Sequence, residues 1–446
     1  MLKYSKYNIF SRFRNSDKFF ILNLLSGNAD ILSSSEAEKL DVIRNNSNSP
    51  DDEFAAELAG KGYLAEQEEE EAIYRRKYLD FIDSRNKEEV QLFFITNYSC
   101  NFSCNYCYQD QYNIQDQELS KEVIDAFFRY IRNEFAAREK YITLFGGEPL
   151  LGSAKHKSLI TYFIEKANEA ELNLCLVTNG YNLPDYIDIL KLGKIREVQI
   201  TLDGTESVHN SRRHLKGGGA TFKKIVEGIT LCLNNKIPVN LRMVIDKENI
   251  KDLSNIAKFA IEKGWTEKAL FKTQIGRNYE LHHCQSSSEK LFNRISLFEK
   301  LYEIINANPH VLEFFKPSFS VSRFLSENGV LPESLFDSCP ACKTEWAFDY
   351  TGKIYPCTAT AGKLDESVGT FYPSINLVSE QIDEWESRDV ISIPGCRDCN
   401  LQLACGGGCG SIAKNRTGKI FSTDCRPVKE LLELGFSAYF DQDMKK

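Results

Sequence analysis

Between about residue 90 and residue 280, short apolar runs rich in β-branched and aromatic side chains alternate with longer stretches of helical periodicity. Residues 91–96, 141–145, 172–178, 198–202, 239–245 and 270–274 are predicted strands, and 121–137, 159–170 and 222–234 are predicted helices between them. That rhythm marks βα units with a parallel sheet, hence an α/β fold. Six units suit a partial, TIM-like (β/α)6 barrel better than a closed eightfold one. In parallel α/β architectures chemistry gathers beyond the carboxyl ends of the strands, so the residues following each run are the first candidates for function.

The flanks read differently. In residues 1–88, β-type runs at 7–10 and 19–25 predict a hairpin, and Ser35-Glu36-Ala37-Glu38 fits a capping box opening a helix to about Arg44. After a polar loop ending in Pro50-Asp51-Asp52, Phe54, Leu58 and Gly62-Tyr63-Leu64 predict a second helix and a turn into a strand. Hairpin, two helices and strand make a winged-helix-like module. The acidic run 66–71 leading into 73–81 reads as a solvated helix linking two domains. Residues 89–290 form the barrel and 291–335 bridging helices, with helical pattern from 287 to 324. Residues 336–446 form a cysteine-rich unit expected to hold only short regular elements.

Composition narrows the function. Of 446 residues, 42% are hydrophobic and 26% charged, ordinary values for a soluble globular protein. With 55 Lys plus Arg against 63 Asp plus Glu, the net charge of −8 argues against nucleic acid or anionic lipid as partner. The first residues lack the pattern of a secretory signal, and no run approaches the ~20 apolar residues of a membrane span, so a cytoplasmic protein is expected. The 14 cysteines are unevenly placed: three lie between 100 and 107, eight between 339 and 425, and only Cys175, Cys232 and Cys284 elsewhere. In a reducing compartment such clusters carry metal or chemistry more often than disulfides.

The first predicted strand runs into Cys100-Asn101-Phe102-Ser103-Cys104-Asn105-Tyr106-Cys107. Three thiolates so spaced can hold one face of an iron–sulfur cubane and leave its fourth iron open, whereas structural zinc wants four ligands. Cys-x3-Cys-x2-Cys, with Tyr106 before the last cysteine, resembles the signature of radical S-adenosylmethionine (SAM) enzymes. Phe145-Gly146-Gly147-Glu148-Pro149 after the second strand, Val177-Thr178-Asn179-Gly180 after the third and Thr201-Leu202-Asp203-Gly204 after the fourth are similar to further family segments. The resemblance implies that Tyr106 and the Gly146, Gly147, Glu148 turn help to hold SAM, the turn at its amino group. It also implies that Thr201, where relatives usually have Ser, faces the ribose, and that Arg213 pairs with the carboxylate. Arg212 is the competing neighbour.

The second constellation is Cys342-x9-Gly352-x4-Cys357, then Cys396-x2-Cys399-x5-Cys405-x3-Cys409, then Cys425, with Cys339 as an eighth thiol. It resembles the SPASM domain of radical SAM peptide and protein maturases. The resemblance implies one 4Fe-4S cluster on Cys339, Cys342, Cys357 and Cys409 and another on Cys396, Cys399, Cys405 and Cys425, making three clusters in all. A pair of four-thiolate zinc sites is the other reading of those spacings. Cys175 and Cys232 read as small buried hydrophobes. Cys284, beside His282 and His283, lacks a fourth ligand in view. Gly217-Gly218-Gly219 reads as a flexible turn, because no Gly-Lys-Ser/Thr follows.

The resemblance implies that an electron passes from the Cys100 cluster to SAM, and that the resulting deoxyadenosyl radical removes a hydrogen atom from a substrate carbon. The N-terminal module resembles the peptide-recognition element of ribosomal peptide maturases. The expected substrate is therefore a precursor peptide with a leader, modified by a thioether or carbon–carbon crosslink. A flavodoxin or ferredoxin-type donor is the expected electron source. One alternative is an anaerobic sulfatase-maturing enzyme, although such enzymes carry an aspartate where this chain has Thr358. Another is a zinc-stabilised peptide-binding scaffold without catalysis. Spacing singles out no catalytic acid or base.

Overall fold

A computed structural model describes residues 2–45, 53–107, 118–277 and 289–441. The N-terminal part contains β1 (Lys3–Tyr4), β2 (Asn8–Arg12), β3 (Phe19–Asn23), β4 (Asn28–Leu32), α1 (Ser34–Asn45), α2 (Glu53–Gly60), β5 (Leu64–Ala65) and α3 (Gln67–Arg85). The expected hairpin gains a third strand: β2, β3 and β4 form one antiparallel sheet, and β1 pairs with β5. Strand alternation divides the apolar residues between two faces. Ile21 and Phe19 pack with Leu40, Ile43, Ala55 and Leu58 of the two helices, whereas Ile9, Phe20 and Leu22 pack against the C-terminal region. The capping box lies two residues earlier than expected. The Glu36 amide donates to Ser33 Oγ at 3.3 Å, and the Ser33 amide to Glu36 Oε2 at 2.8 Å.

Helix α3 is more than a solvated link. Tyr74, Tyr78 and Phe81 recur at helical spacing and surround Phe336, with ring centroids 5.1, 5.4 and 5.6 Å from it. Tyr78 also donates to Asp389 Oδ2 at 2.6 Å. The glutamates 68–71 occupy the start of the helix on all sides, so only its later turns make this aromatic contact.

The barrel elements are β6 (Val90–Ile95), β7 (Phe102–Cys104), α4 (Lys121–Glu134), β8 (Lys140–Phe145), α5 (Ala154–Glu169), β9 (Leu174–Thr178), α6 (Ile187–Leu190) and β10 (Ile195–Thr201). They continue with α7 (Glu206–Arg212), β11 (Arg213–Leu215), α8 (Phe222–Asn234), β12 (Val239–Ile245), α9 (Leu253–Glu262) and β13 (Phe271–Arg277). The six expected strands are β6, β8, β9, β10, β12 and β13, parallel and adjacent in sequence order. Their apolar positions, such as Leu144, Leu176, Ile200 and Leu241, are buried in the main core, while the alternate, largely polar positions line an interior cavity.

The sheet does not stop at six. Beyond α10 (Arg294–Ala307), α11 (Val311–Phe314) and α12 (Ser322–Asn328), β14 (Glu345–Asp349) pairs parallel with β6, from Glu345 opposite Gln91 to Asp349 opposite Ile95. The antiparallel strands β15 (Lys353–Tyr355), β16 (Gly369–Thr370) and β17 (Asn376–Leu377) extend the sheet to ten. The C-terminal region thus covers the edge of β6, whose Val90, Leu92 and Phe94 are fully buried.

Four further helices follow among the described residues: α13 (Ser379–Glu386), α14 (Gln402–Cys405), α15 (Gly410–Thr417) and α16 (Val428–Phe440). The last, at 13 residues, is longer than the short elements expected there. Its Phe436 stacks on Phe20 at 4.2 Å and 9°, fixing the N-terminal sheet to the C-terminal region. Among the described residues, no helix is long and apolar enough to cross a membrane.

Phe436→Ala removes that stacked contact and is expected to cost about 3–5 kcal/mol. Hydrogen exchange should show lost protection in β2 and β3 with β6 unchanged. Equal loss in β6 would mean that the two regions open as one unit.

Candidate functional site

The cysteine loop follows β6 and is held by β7, which pairs antiparallel with β11 and sets Cys104 opposite Arg213. Cys100, Cys104 and Cys107 are half-buried and line a cavity of roughly 630 Å³ at the centre of the barrel. Burial is the main cause that pushes the Cys100 thiol up to about 12, with Glu148, Cys104 and Cys107 adding to it. The three sulfurs therefore lie within electrostatic reach of one another. The Phe102 amide points at Cys100 Sγ at 3.4 Å, and Asn179 Nδ2 at 3.7 Å. Such N–H donors stabilise thiolate, and an all-sulfur donor set suits an iron–sulfur cluster.

Gly146 and Gly147 line the same cavity, and the structure shows what they make possible. A Cβ at Gly146 would lie 2.3 Å from Asn97 O, and one at Gly147 2.1 Å from Ser99 O. The glycines thus let the turn after β8 touch the backbone entering the cysteine loop, where the amides of Gly147 and Glu148 donate to those two carbonyls at 2.9 Å each. The Glu148 carboxylate is not among the cavity-lining groups. Buried inside the fold, it accepts from the Leu150 amide (2.8 Å), Thr178 Oγ1 (2.6 Å) and the Asn179 amide (2.7 Å). It latches the end of β8 to the end of β9.

Thr201, Tyr106 and Arg213 all line the cavity. Arg213 Nη1 donates to the Tyr106 hydroxyl at 2.6 Å, and its buried Nε meets no hydrogen-bond partner among the described residues. Arg212 is committed elsewhere: it donates to Asp246 at 3.0 and 2.9 Å and to Asp203 at 3.3 Å. Of the two arginines, only Arg213 is presented to the cavity.

His209, which sequence reasoning passed over, joins these segments. The Asp203 amide donates to His209 Nδ1 at 3.1 Å, so the ring proton sits on Nε2, which faces Thr221 Oγ1 at 3.1 Å. Thr221 in turn donates to the Arg213 carbonyl at 2.6 Å. Burial, and then the charges of Arg213 and Arg212, hold the His209 pKa well below its ordinary value. A lone histidine within a helix carries no spacing signal that would reveal this relay.

Among the described residues no three metal-ligating side chains come close enough to hold an ion, but the C-terminal thiols influence one another in two groups. Burial raises the Cys357 thiol first, and then Glu345, Cys339 and Cys409; Cys342 likewise feels Cys339. Cys396 is pushed up to about 11 by burial and then by Cys405, Cys425 and Cys399. Close-packed glycines leave room for the first group, since a Cβ at Gly410 would lie 3.2 Å from Cys339 Sγ. The fully buried Arg388 binds the cysteine-rich loops together, donating to the carbonyls of Gly407, Gly408, Ile420 and Ser422 at 2.9–3.1 Å. Four thiolates per group suit iron–sulfur clusters or zinc equally. Thr358 lines the barrel cavity, and its amide and hydroxyl donate to Glu345 Oε1 at 2.7 and 2.8 Å.

Cys232 is fully buried in α8, as expected. Cys175 is not a core hydrophobe: it lines the cavity. Cys284, with His282 and His283, lies outside the described residues.

His209 supports the fold in its neutral form. Its contribution is complete above about pH 6.5 and is lost as pH falls, at about 1.4 kcal/mol per pH unit down to its depressed folded pKa. Melting curves from about pH 7 down to about pH 5 should therefore fall more steeply for the wild type than for His209→Gln. Parallel slopes would show that His209 does not titrate this way.

Residues 94–260 match the Radical SAM superfamily. The chain is 24% identical over 336 residues to a cysteine-type anaerobic sulfatase-maturating enzyme of Clostridium novyi, covering 70% of this chain and 85% of that protein. It is 30% identical over 172 residues to the sporulation killing factor maturation protein SkfB of Bacillus subtilis, covering 38% and 39%. Among solved structures, anSMEcpe with bound AdoMet and Cp18Cys peptide superposes with a TM-score of 0.58 at 19% identity, covering 79% of this chain and 99% of that one. Streptococcus suis SuiB bound to precursor peptide SuiA gives 0.55 at 12%, covering 95% and 99%. These structural likenesses concern the fold. Together with the family match and the cavity-facing cysteine loop, they identify the central part of this chain as a radical SAM domain.

Proposed function

We propose that the chain is a radical SAM maturase that oxidatively modifies a ribosomally made precursor peptide, by a thioether or carbon–carbon crosslink. The observation that carries this reading is the presentation of three thiols and Arg213 to one cavity lined by the inner faces of the parallel strands. Cys100, Cys104 and Cys107 would hold the first cluster, and Tyr106, Gly146, Gly147, Thr201 and Arg213 would surround SAM, with Glu148 fixing the turn from behind. Loaded with both, the site would supply hydrogen-atom abstraction from unactivated carbon. The chain's own part is alignment: the barrel wall excludes water and holds one substrate hydrogen in reach, because so reactive a species discriminates only by distance. The two thiol groups of the C-terminal region would hold auxiliary clusters. Exposed Cys425, beside Arg294 and Arg416, marks the side on which an acidic flavodoxin or ferredoxin would dock.

The N-terminal unit supports a peptide with a leader. Among the described residues β4 has a strand partner on one side only, and an extended leader could add to its other edge. The sulfatase-maturating reading is supported by the named relatives. Against it, the cavity position after Cys357 holds a threonine hydroxyl bonded to Glu345 instead of a free carboxylate.

Anaerobic purification should yield brown protein, and changing Cys100, Cys104 and Cys107 together to Ala should remove about four irons per chain. With dithionite and SAM, the wild type should release deoxyadenosine. Mass spectrometry of the peptide encoded beside the gene should show loss of two hydrogens at unchanged length. Zinc in place of iron would sink the radical reading. A formylglycine product on a sulfatase peptide would establish the alternative. Arg213→Ala should weaken SAM binding about tenfold or more, as for a lost charge-assisted hydrogen bond.

A further inference from the structure

The cavity contains a cation without a counter-ion. Its single carboxylate among the described residues, Glu197, is already engaged by Lys272 and by Asn240 Nδ2 at 2.8 Å. Of the other lining arginines, Arg196 pairs with Glu89 at 2.6 Å, Arg277 donates to the Phe292 carbonyl at 2.7 Å, and Arg213 donates to Tyr106 and keeps its Nε for the proposed SAM carboxylate. Arg242 lines the cavity from β12, and its buried Nε has no partner among the described residues; no ion pair to it is formed among them either. A guanidinium remains charged at any physiological pH, so holding one there without a partner is costly unless a ligand supplies the anion.

Two features aim this group. Arg242 is in register with Thr201 and Gln274, at the level of the proposed ribose contact. Its guanidinium leans over Gly276, where a Cβ would lie 2.8 Å from Nε and 2.9 Å from Nη2. Gly276 is opposite Val244, two residues nearer the carboxyl end, so the charge reaches toward the cysteine loop's end of the barrel. On the same face of β12, about 7 Å away, Asn240 is 7% exposed and its Oδ1 also lacks a partner among the described residues. An open cationic donor and an open acceptor at that spacing match a peptide: a carboxylate on Arg242 and a backbone N–H on Asn240.

We infer that Arg242 is a specificity-determining residue that binds a carboxylate of the substrate peptide inside the barrel. The inference rests on the peptide-maturase reading and adds that the reacting segment is acidic. Two sources share this chemistry, an Asp or Glu side chain and a free C-terminus.

The test uses full-length, anaerobically reconstituted enzyme with SAM and no reductant, challenged with two pools of short synthetic peptides. One pool is C-terminally amidated and contains all residue types; the other has free carboxyl termini but lacks Asp and Glu. Retained peptides are sequenced by mass spectrometry. The wild type should enrich Asp and Glu from the first pool, or retain the second pool if the terminal carboxylate is the one bound. Arg242→Gln should lower that retention about tenfold, Arg242→Lys should keep it, and Arg242→Glu should turn the preference toward Lys and Arg. Gly276→Val, which displaces the guanidinium, should act like Arg242→Gln. Iron–sulfur absorption in each variant reports an intact fold, and the wild-type composition alone can refute the proposal. Retention with no preference for carboxylates, or an unchanged preference in Arg242→Glu, overturns it. Deoxyadenosine release by the wild type on adding dithionite separates the two levels. Release with neutral peptide retention sinks only the role of Arg242, and no release sinks the reading beneath it.

Discussion

The short antiparallel pairing of β7 with β11 governs the whole site. Three residues on each side join the loop after the first barrel strand to the segment after the fourth, and so place Cys104 across from Arg213. The strands from which these segments leave, β6 and β10, are not neighbours, since β8 and β9 lie between them. Everything near it is arranged to keep it fixed. The Gly146–Gly147 turn presses on the backbone leading into the cysteine loop, Glu148 closes the ends of β8 and β9, and the His209–Thr221 relay fixes the backbone at Arg213. These contacts are local and polar, so they specify position more than they add stability.

The C-terminal region serves the barrel in two ways. β14 pairs with the otherwise open edge of β6, a mostly apolar strand whose backbone groups on that side would be unmet. The same segment then carries Thr358 to the cavity, where Glu345 of β14 anchors it. One segment thus completes the sheet and supplies part of the cavity wall. Arg388 shows how the cysteine-rich loops manage with little regular structure: one buried guanidinium satisfies four carbonyls that no helix or strand pairs.

Much of this was legible in the sequence, for identifiable reasons. The strands were visible because each alternates apolar residues, which pack on the helices, with residues that face inward; β12 and α8 fall where expected to the residue. The cysteine spacings and the Gly-Gly-Glu-Pro turn carry their own chemistry. What escaped notice was whatever depends on a partner distant in sequence. Glu-Trp-Ala-Phe-Asp at β14 is separated from α12 by the irregular stretch 329–344, so no βα rhythm announces a barrel strand. The aromatic stripe of α3 was hidden behind its acidic run. Arg242 and Asn240 alternate with apolar residues just as solvent-facing polar residues would, because alternation reveals two faces without saying which one meets water.

The same dependence on distant partners bears on how peptide recognition and chemistry are joined. The N-terminal sheet buries Ile9, Phe13, Phe20 and Leu22 against Phe336, Leu432 and Phe436, and α3 wraps the same surface. Its apolar anchor is therefore the C-terminal region, whose Cys396 and Cys405 belong to that very cluster of buried side chains. On the proposed reading, the thiols that hold an auxiliary cluster also form part of the platform under the leader-binding unit. Loss of the cluster would leave those thiols buried without a ligand and loosen the platform, so metal loading would set where a leader is held relative to the barrel as well as how electrons move. An enzyme lacking only its auxiliary metal should then bind its peptide poorly even while the cysteine loop near position 100 remains intact, because binding and chemistry share one support.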